Sequence, residues 1–131
     1  SGDFEERPTV LLEEDFESLA GSLSLVNANY AHSISGELVT GTPPTGWAVD
    51  NTNSGSSNDC ASFDGWNFWS LSGWAALPAS GGRTGFSDGS GVVALVDAEY
   101  YDNCGSTELM HTILVSPAIN LAGIQEANSV Q

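Results

Sequence analysis

The stretch "VVALVDAEYYDNCG" (92–105) decides the fold class: five apolar residues run without a break into three carboxylates, two tyrosines and a cysteine. A run so short, rich in β-branched valine and with no polar face, reads as a strand buried on both sides. Around it, "GTPPTGW" (41–47), "NTNSGSSND" (51–59), "ASGGRTG" (79–85) and "SDGSG" (87–91) are dense in the residues that make tight turns. Strands recurring between such turns, with few helix signals and no repeat of fixed period, predict an all-β sandwich.

Further strands flank that run. "ELMHTILVS" (108–116) alternates Leu109, His111, Ile113 and Val115 with Met110, Thr112 and Leu114, and Pro117 ends it. "GWAVDN" (46–51) pairs Trp47 with Val49 on one face. "WNFWSLSGWAAL" (66–77) carries three of the four tryptophans. "TVLLEEDFESLAG" (9–21) could turn as an amphipathic helix with a glycine stop, but Val10, Leu12 and Phe16 also fit strand spacing, and a strand is expected. "INLAGIQEANSVQ" (119–131) reads as a loop entering another strand, so the expectation is one domain over 1–131 that continues beyond residue 131 or is completed by another chain.

Composition narrows the partners. Seventeen Asp and Glu face two arginines and no lysine, a formal net charge of -15. That field repels phosphate backbones and anionic membranes, which excludes nucleic-acid binding. No apolar run reaches the roughly 18 residues of a membrane span, so insertion is not expected either. Bound divalent cations, a saline habitat or a plain solubilising surface each account for the excess acid. Cys60 and Cys104 fit neither a CxxC motif nor a zinc site; they read as a disulfide, which places the chain outside the cytoplasm, or as two buried thiols.

The acids after the buried strand are the first candidate site. Calcium takes six to eight oxygen ligands, and Asp15 or Glu17 together with Asp97 and Asp102 would supply carboxylates if the two segments are neighbours; solvated loop acids are the alternative. "GFSDG" (85–89) matches G-x-S-x-G with Ser87 as nucleophile, but that motif needs a strand before it and a helix after it, whereas a strand follows here. His111 reads as a face or core histidine, and His32 has no visible partner. Trp66, Trp69 and Trp74, beside Phe63 and Phe68, either fill a core or offer a flat platform to a sugar, with at least one of them turned outward.

Taken in order, "LLEEDFESL" (11–19), "PPTGWAVDN" (43–51), "DGWNFWS" (64–70), "GVVALVDAEYYDN" (91–103) and "ILVSPAINLAG" (113–123) resemble the N-terminal two thirds of a MAM-like jelly-roll module. Such modules include the cleaved-adhesin and choice-of-anchor types of secreted bacterial proteins, in particular those attached to large secreted phosphoesterases and adhesins of marine bacteria. The resemblance implies a jelly roll of two antiparallel sheets, incomplete in this chain, with a structural calcium on Glu17, Asp97, Asp102 and Asp15. Cys60 and Cys104 match no motif of such modules, so the expected disulfide does not come from the resemblance.

The expected function is therefore a non-catalytic, calcium-stabilised adhesion module of a larger secreted protein, binding carbohydrate or a protein surface. The alternatives are an accessory domain or fragment of a secreted hydrolase, with Ser87 or acids near Asp97 as its chemistry, and an assembly subunit completed by a neighbour's strands.

Overall fold

The computed structural model describes residues 9–25, 38–54, 63–77, 83–86, 88–103 and 109–122. Cys60, Cys104, His32 and Ser87, on which the disulfide and nucleophile expectations rest, lie outside the described residues. The described chain is mainly β. Strands β1 (Ser24–Leu25), β2 (Leu38–Thr40), β4 (Asn67–Ser70) and β5 (Val92–Leu95) form one antiparallel sheet in the order β1-β2-β4-β5. Strands β3 (Ala48–Asp50) and β6 (Ile113–Val115) form a second, two-stranded sheet.

The pair β4–β5, in which β5 forms the edge of the sheet, shows why an uninterrupted apolar run was needed. Phe68 stands opposite Ala94 and Trp69 opposite Val93, so successive residues feed two separate cores. On one face Phe68, Val92 and Leu19 are buried together, with Phe16, Val49, Ala94 and Leu114 packed against them. On the other face Trp69, Val39, Phe63, Leu77 and Tyr100 form the second cluster, joined by Val93, Leu95 and Trp74. Phe68 and Trp69 are both 0% exposed. Burying one such side chain stabilises the fold by roughly 1.5 to 3 kcal/mol before any cavity cost is counted.

Short helices cover what the second sheet does not. Helix α1 (Leu71–Ala75) follows β4 directly, and Ser70 caps it by accepting from the Gly73 N–H at 3.3 Å. Helix α2 (Ala98–Asn103) follows β5, where the Asp97 carboxylate accepts from the Tyr100 N–H at 3.0 Å. Asp97 therefore caps a helix; a loop was expected there, although Asp followed by Ala and Glu is a helix-start signal. Tyr100 stacks on Phe63 with ring centroids 4.5 Å apart and 9° between planes, which fastens α2 to the sheet.

The N-terminal segment departs from the expected strand. Val10 is 69% exposed, and residues 9–15 form neither strand nor helix. The chain turns at Phe16, whose φ of 61° lies in the left-handed region, and continues as a 3-10 helix over Glu17–Ser22. Such a conformation costs a non-glycine residue about 1 to 3 kcal/mol unless its surroundings hold it. Here the Glu14 carboxylate accepts from the Phe16 N–H at 2.7 Å, and the Phe16 ring packs on Trp47 at 5.6 Å and on Phe68 at 5.3 Å. The turn thus puts Phe16 into the core and Glu17 beside the start of β5.

A polar network joins the two sheets. Asn51 donates from Nδ2 to the Asp64 carbonyl at 2.8 Å and accepts at Oδ1 from the Thr112 hydroxyl. That hydroxyl in turn accepts from the Trp66 N–H at 3.0 Å. Gly65 lies against this network with φ +87°, and a Cβ there would stand 2.5 Å from both Asn51 Oδ1 and Thr112 Oγ1. Only glycine satisfies the backbone and the space together.

Candidate functional site

The four acids expected to share a calcium are not brought together. Glu17 accepts from the Val92 N–H at 2.7 Å and rests against Gly91, at the start of β5. Asp97 lies five positions further along, about 16 Å away in extended chain at roughly 3.3 Å per residue. Val92 belongs to the Leu19–Phe68 core, whereas Asp97 contacts Trp74 and Tyr100, which belong to the Trp69 core. Asp102 is exposed on α2, and Asp15 is exposed beside Glu17, whose N–H it accepts at 3.0 Å. Among the described residues no group of three His, Cys, Asp or Glu side chains is placed to hold a metal ion. Glu17 and Asp97 thus engage separate partners beside separate cores.

Asp97 has a different partner, one that sequence reasoning missed. Its Oδ2 accepts from Arg83 Nη2 at 2.7 Å, Arg83 Nε at 3.1 Å and Trp74 Nε1 at 2.9 Å. The two side chains of this ion pair are 4% and 5% exposed. The guanidinium carbon also lies 4.7 Å from the Tyr100 ring centroid and 5.6 Å from that of Trp74. With every lone-pair direction of Oδ2 claimed by a donor, Asp97 fixes Arg83, α1 and α2 to one another and is not turned to solvent. The hint in the sequence was charge scarcity, since a chain with two arginines and no lysine has few cations to spend in its interior.

The tryptophans divide the same way. Trp69 is fully buried, Trp74 is half-buried with its N–H on Asp97, and Trp66 is half-buried beside Thr112. Trp66 and Trp74 each keep part of their surface exposed, while α1 and α2 close the face of the sheet that Trp69 occupies. The exposed aromatic is Phe86, 55% accessible and edge-on to Trp74 at 5.9 Å. As expected, "GFSDG" leads into a strand: β5 begins at Val92, so the strand–turn–helix setting of a nucleophile elbow is missing there.

A groove of about 440 Å³ does open on the surface, where the Glu17–Ser22 turn, β2, the start of α1 and the turn before β5 meet. Its polar lining residues are Glu17, Ser70, Ser72 and Ser90; Leu38 and Leu71 are among its apolar ones. Ser70 Oγ and Ser72 Oγ lie 3.1 Å apart. Gly91, with φ +63°, admits the Glu17 carboxylate to the groove, since any Cβ there would overlap it. Phe86 and Leu71 both reach over Gly89, at 3.0 and 3.2 Å from where its Cβ would be, so the exposed ring borders the Leu71 wall. Nothing in the sequence marks these serines, which lie in two separate segments, 70–72 and the turn before β5.

On the second sheet, Asp50 accepts from both the Thr52 hydroxyl and the Thr52 N–H. Those two hydrogen bonds, the hydroxyl first, hold its carboxyl below the ordinary 3.8, with a small contribution from His111.

The chain matches no family model, no curated protein and no solved structure. No helix among the described residues is long and apolar enough to cross a membrane.

Proposed function

We propose that this chain is a non-catalytic binding module of a larger secreted protein, built on a jelly-roll sandwich, and that its ligand is a neutral or amine-bearing carbohydrate. The groove at Glu17 carries this reading. Hydroxyls and one carboxylate over apolar walls match the two characters of a sugar ring, and the volume lies within the roughly 300 to 1,000 Å³ of small-ligand sites. The net charge disfavours phosphorylated or acidic ligands. Calcium belongs to the proposal as a stabilising ion at the exposed pair Asp15 and Glu17. Each of these commits one oxygen to a backbone N–H, whereas Asp97 is already engaged by Arg83.

The test is a panel of neutral, amino and acidic glycans against the wild-type chain and Ser72→Trp, with calcium and with EDTA. Ser72 is exposed on the groove wall, so a bulky ring there fills the groove and spares the core. Binding of neutral or amino sugars that drops at least tenfold in Ser72→Trp supports the reading. A preference for acidic glycans, or binding indifferent to Ser72→Trp, overturns it.

A further inference from the structure

We infer that the ligand of the Glu17 groove is an oligosaccharide, and that Phe86 stacks on the sugar unit next to the one the groove holds. The inference rests on the carbohydrate reading and adds a second subsite to it. Among the described residues Phe86 is the only aromatic in the exposed class, 55% accessible. Its ring is nonetheless held in place. It stands edge-on to Trp74 at 5.9 Å, and the Phe86 N–H donates to the Arg83 carbonyl at 3.1 Å. Trp74 is in turn fixed by its N–H on Asp97 and by the Arg83 guanidinium over its ring. A ring seated on a buried ion pair has little freedom left to lose when a partner covers it.

The turn over 88–91 joins this ring to the groove. Phe86 and Leu71 meet over Gly89, Ser90 lines the groove, and the Glu17 side chain rests against Gly91. The Gly91 carbonyl accepts from the Leu71 N–H at 2.9 Å, which ties the turn to the start of α1. Leu71 and Trp74, three positions apart on that helix, are neighbours on its surface. The apolar surface therefore runs from the groove through Leu71 to Phe86. Gly89 and Gly91 are at most about 7 Å apart, the scale of one pyranose unit, so a ring beside Glu17 places its neighbour at Phe86. A pyranose carries hydroxyls on its rim and C–H groups on its faces. Glu17 suits the first, and the electron-rich face of Phe86 suits the second.

The probes are glucose, cellobiose and cellotriose, and the matching glucosamine series, titrated by calorimetry. In one or both series the dimer is expected to bind about tenfold more tightly than the monomer. That gain should fall below threefold in Phe86→Ala and in Phe86→Leu, which keeps an apolar contact with Trp74, and should return in Phe86→Tyr. Monomer affinity should stay unchanged in all three variants. Equal affinity for monomer and dimer, a monomer weakened as much as the dimer, or a gain that survives in Phe86→Leu overturns the second subsite while leaving the groove reading intact. Binding indifferent to Ser72→Trp, or no binding in either series, overturns both.

Discussion

The two sheets solve the same burial problem to different extents. In the four-stranded sheet the β4–β5 pair is covered on both faces, by the second sheet on one side and by α1 and α2 on the other, while β1 is exposed. The two-stranded sheet is covered on one face only, and Ile113 and Val115 show on the other. The sequence writes this difference as pattern: "VVAL" is apolar at every position, whereas "AVD" and "ILV" sit in stretches whose alternate residues meet water. A strand with two cores has no side chain free for a ligand. Binding surfaces therefore gather at the ends of the first sheet.

The contrast breaks most visibly by truncation. Trp69→Ala removes a fully buried ring between Phe63 and Val39 and should cost about 3 to 5 kcal/mol in denaturant unfolding. Val115→Ala, on the uncovered face, should stay within roughly 0.5 kcal/mol of wild type, as surface changes do. A large loss at Val115 would mean that this face is covered after all.

Asp97→Asn probes the covered side by chemistry. It leaves the Arg83 guanidinium buried without its counter-charge, and breaking a buried pair costs about 3 to 5 kcal/mol. If Asp97 instead served chiefly as a calcium ligand, the loss would vanish in EDTA. Chemical denaturation of both proteins with and without chelator separates the two.

Half of the first sheet was legible, β4 and β5, and the reason is local; β1 and β2 were not read, and the strand expected over 66–77 stops at Ser70, where α1 begins. Uniform apolarity at 92–96 and the paired aromatics at 66–69 each determine a strand without reference to the rest of the chain. The alternation of 108–116 was legible too, but not which of its faces points inward; Thr112 took the inner one by bonding Asn51. The site was far less legible. The acids of "EEDFE" and "VDAEYYD" look equivalent in sequence, yet one set caps backbone N–H groups and Asp97 meets Arg83, fourteen positions away. Pairings of that kind depend on which elements pack together, and no spacing rule encodes them. The Phe16 turn was hidden for a similar reason: a left-handed phenylalanine forms only because Trp47 and Phe68 receive its ring.

Between the two sheets, Gly65→Ala sharpens the comparison. The added Cβ meets Asn51 Oδ1 and Thr112 Oγ1 at a backbone position that disfavours it, and a loss of about 1 to 3 kcal/mol is expected. The loss should shrink in an Asn51→Ala background, where the carboxamide is no longer in the way. A denaturation cycle over the four proteins measures that coupling.

The smallest effect concerns Asp50. Its carboxyl is held below 3.8, so its contribution is complete at neutral pH and is lost as pH falls through its lowered folded-state value. In Thr52→Ala the carboxyl should titrate closer to 3.8, as followed by NMR of its side-chain carbon, with the rest of the acid titration unchanged. An unmoved Asp50 would show that Thr52 does not hold it.

Native-state hydrogen exchange tests the central contrast most directly. With the β4–β5 pair covered on both faces and the second sheet on one, the amides of Phe68, Trp69 and Val93 should exchange only through global unfolding. Those of Ala48 and Val115 should exchange through local opening, at least tenfold faster under the same conditions. Equal protection in the two sheets would contradict the account, because it would make the second sheet as fully covered as the first.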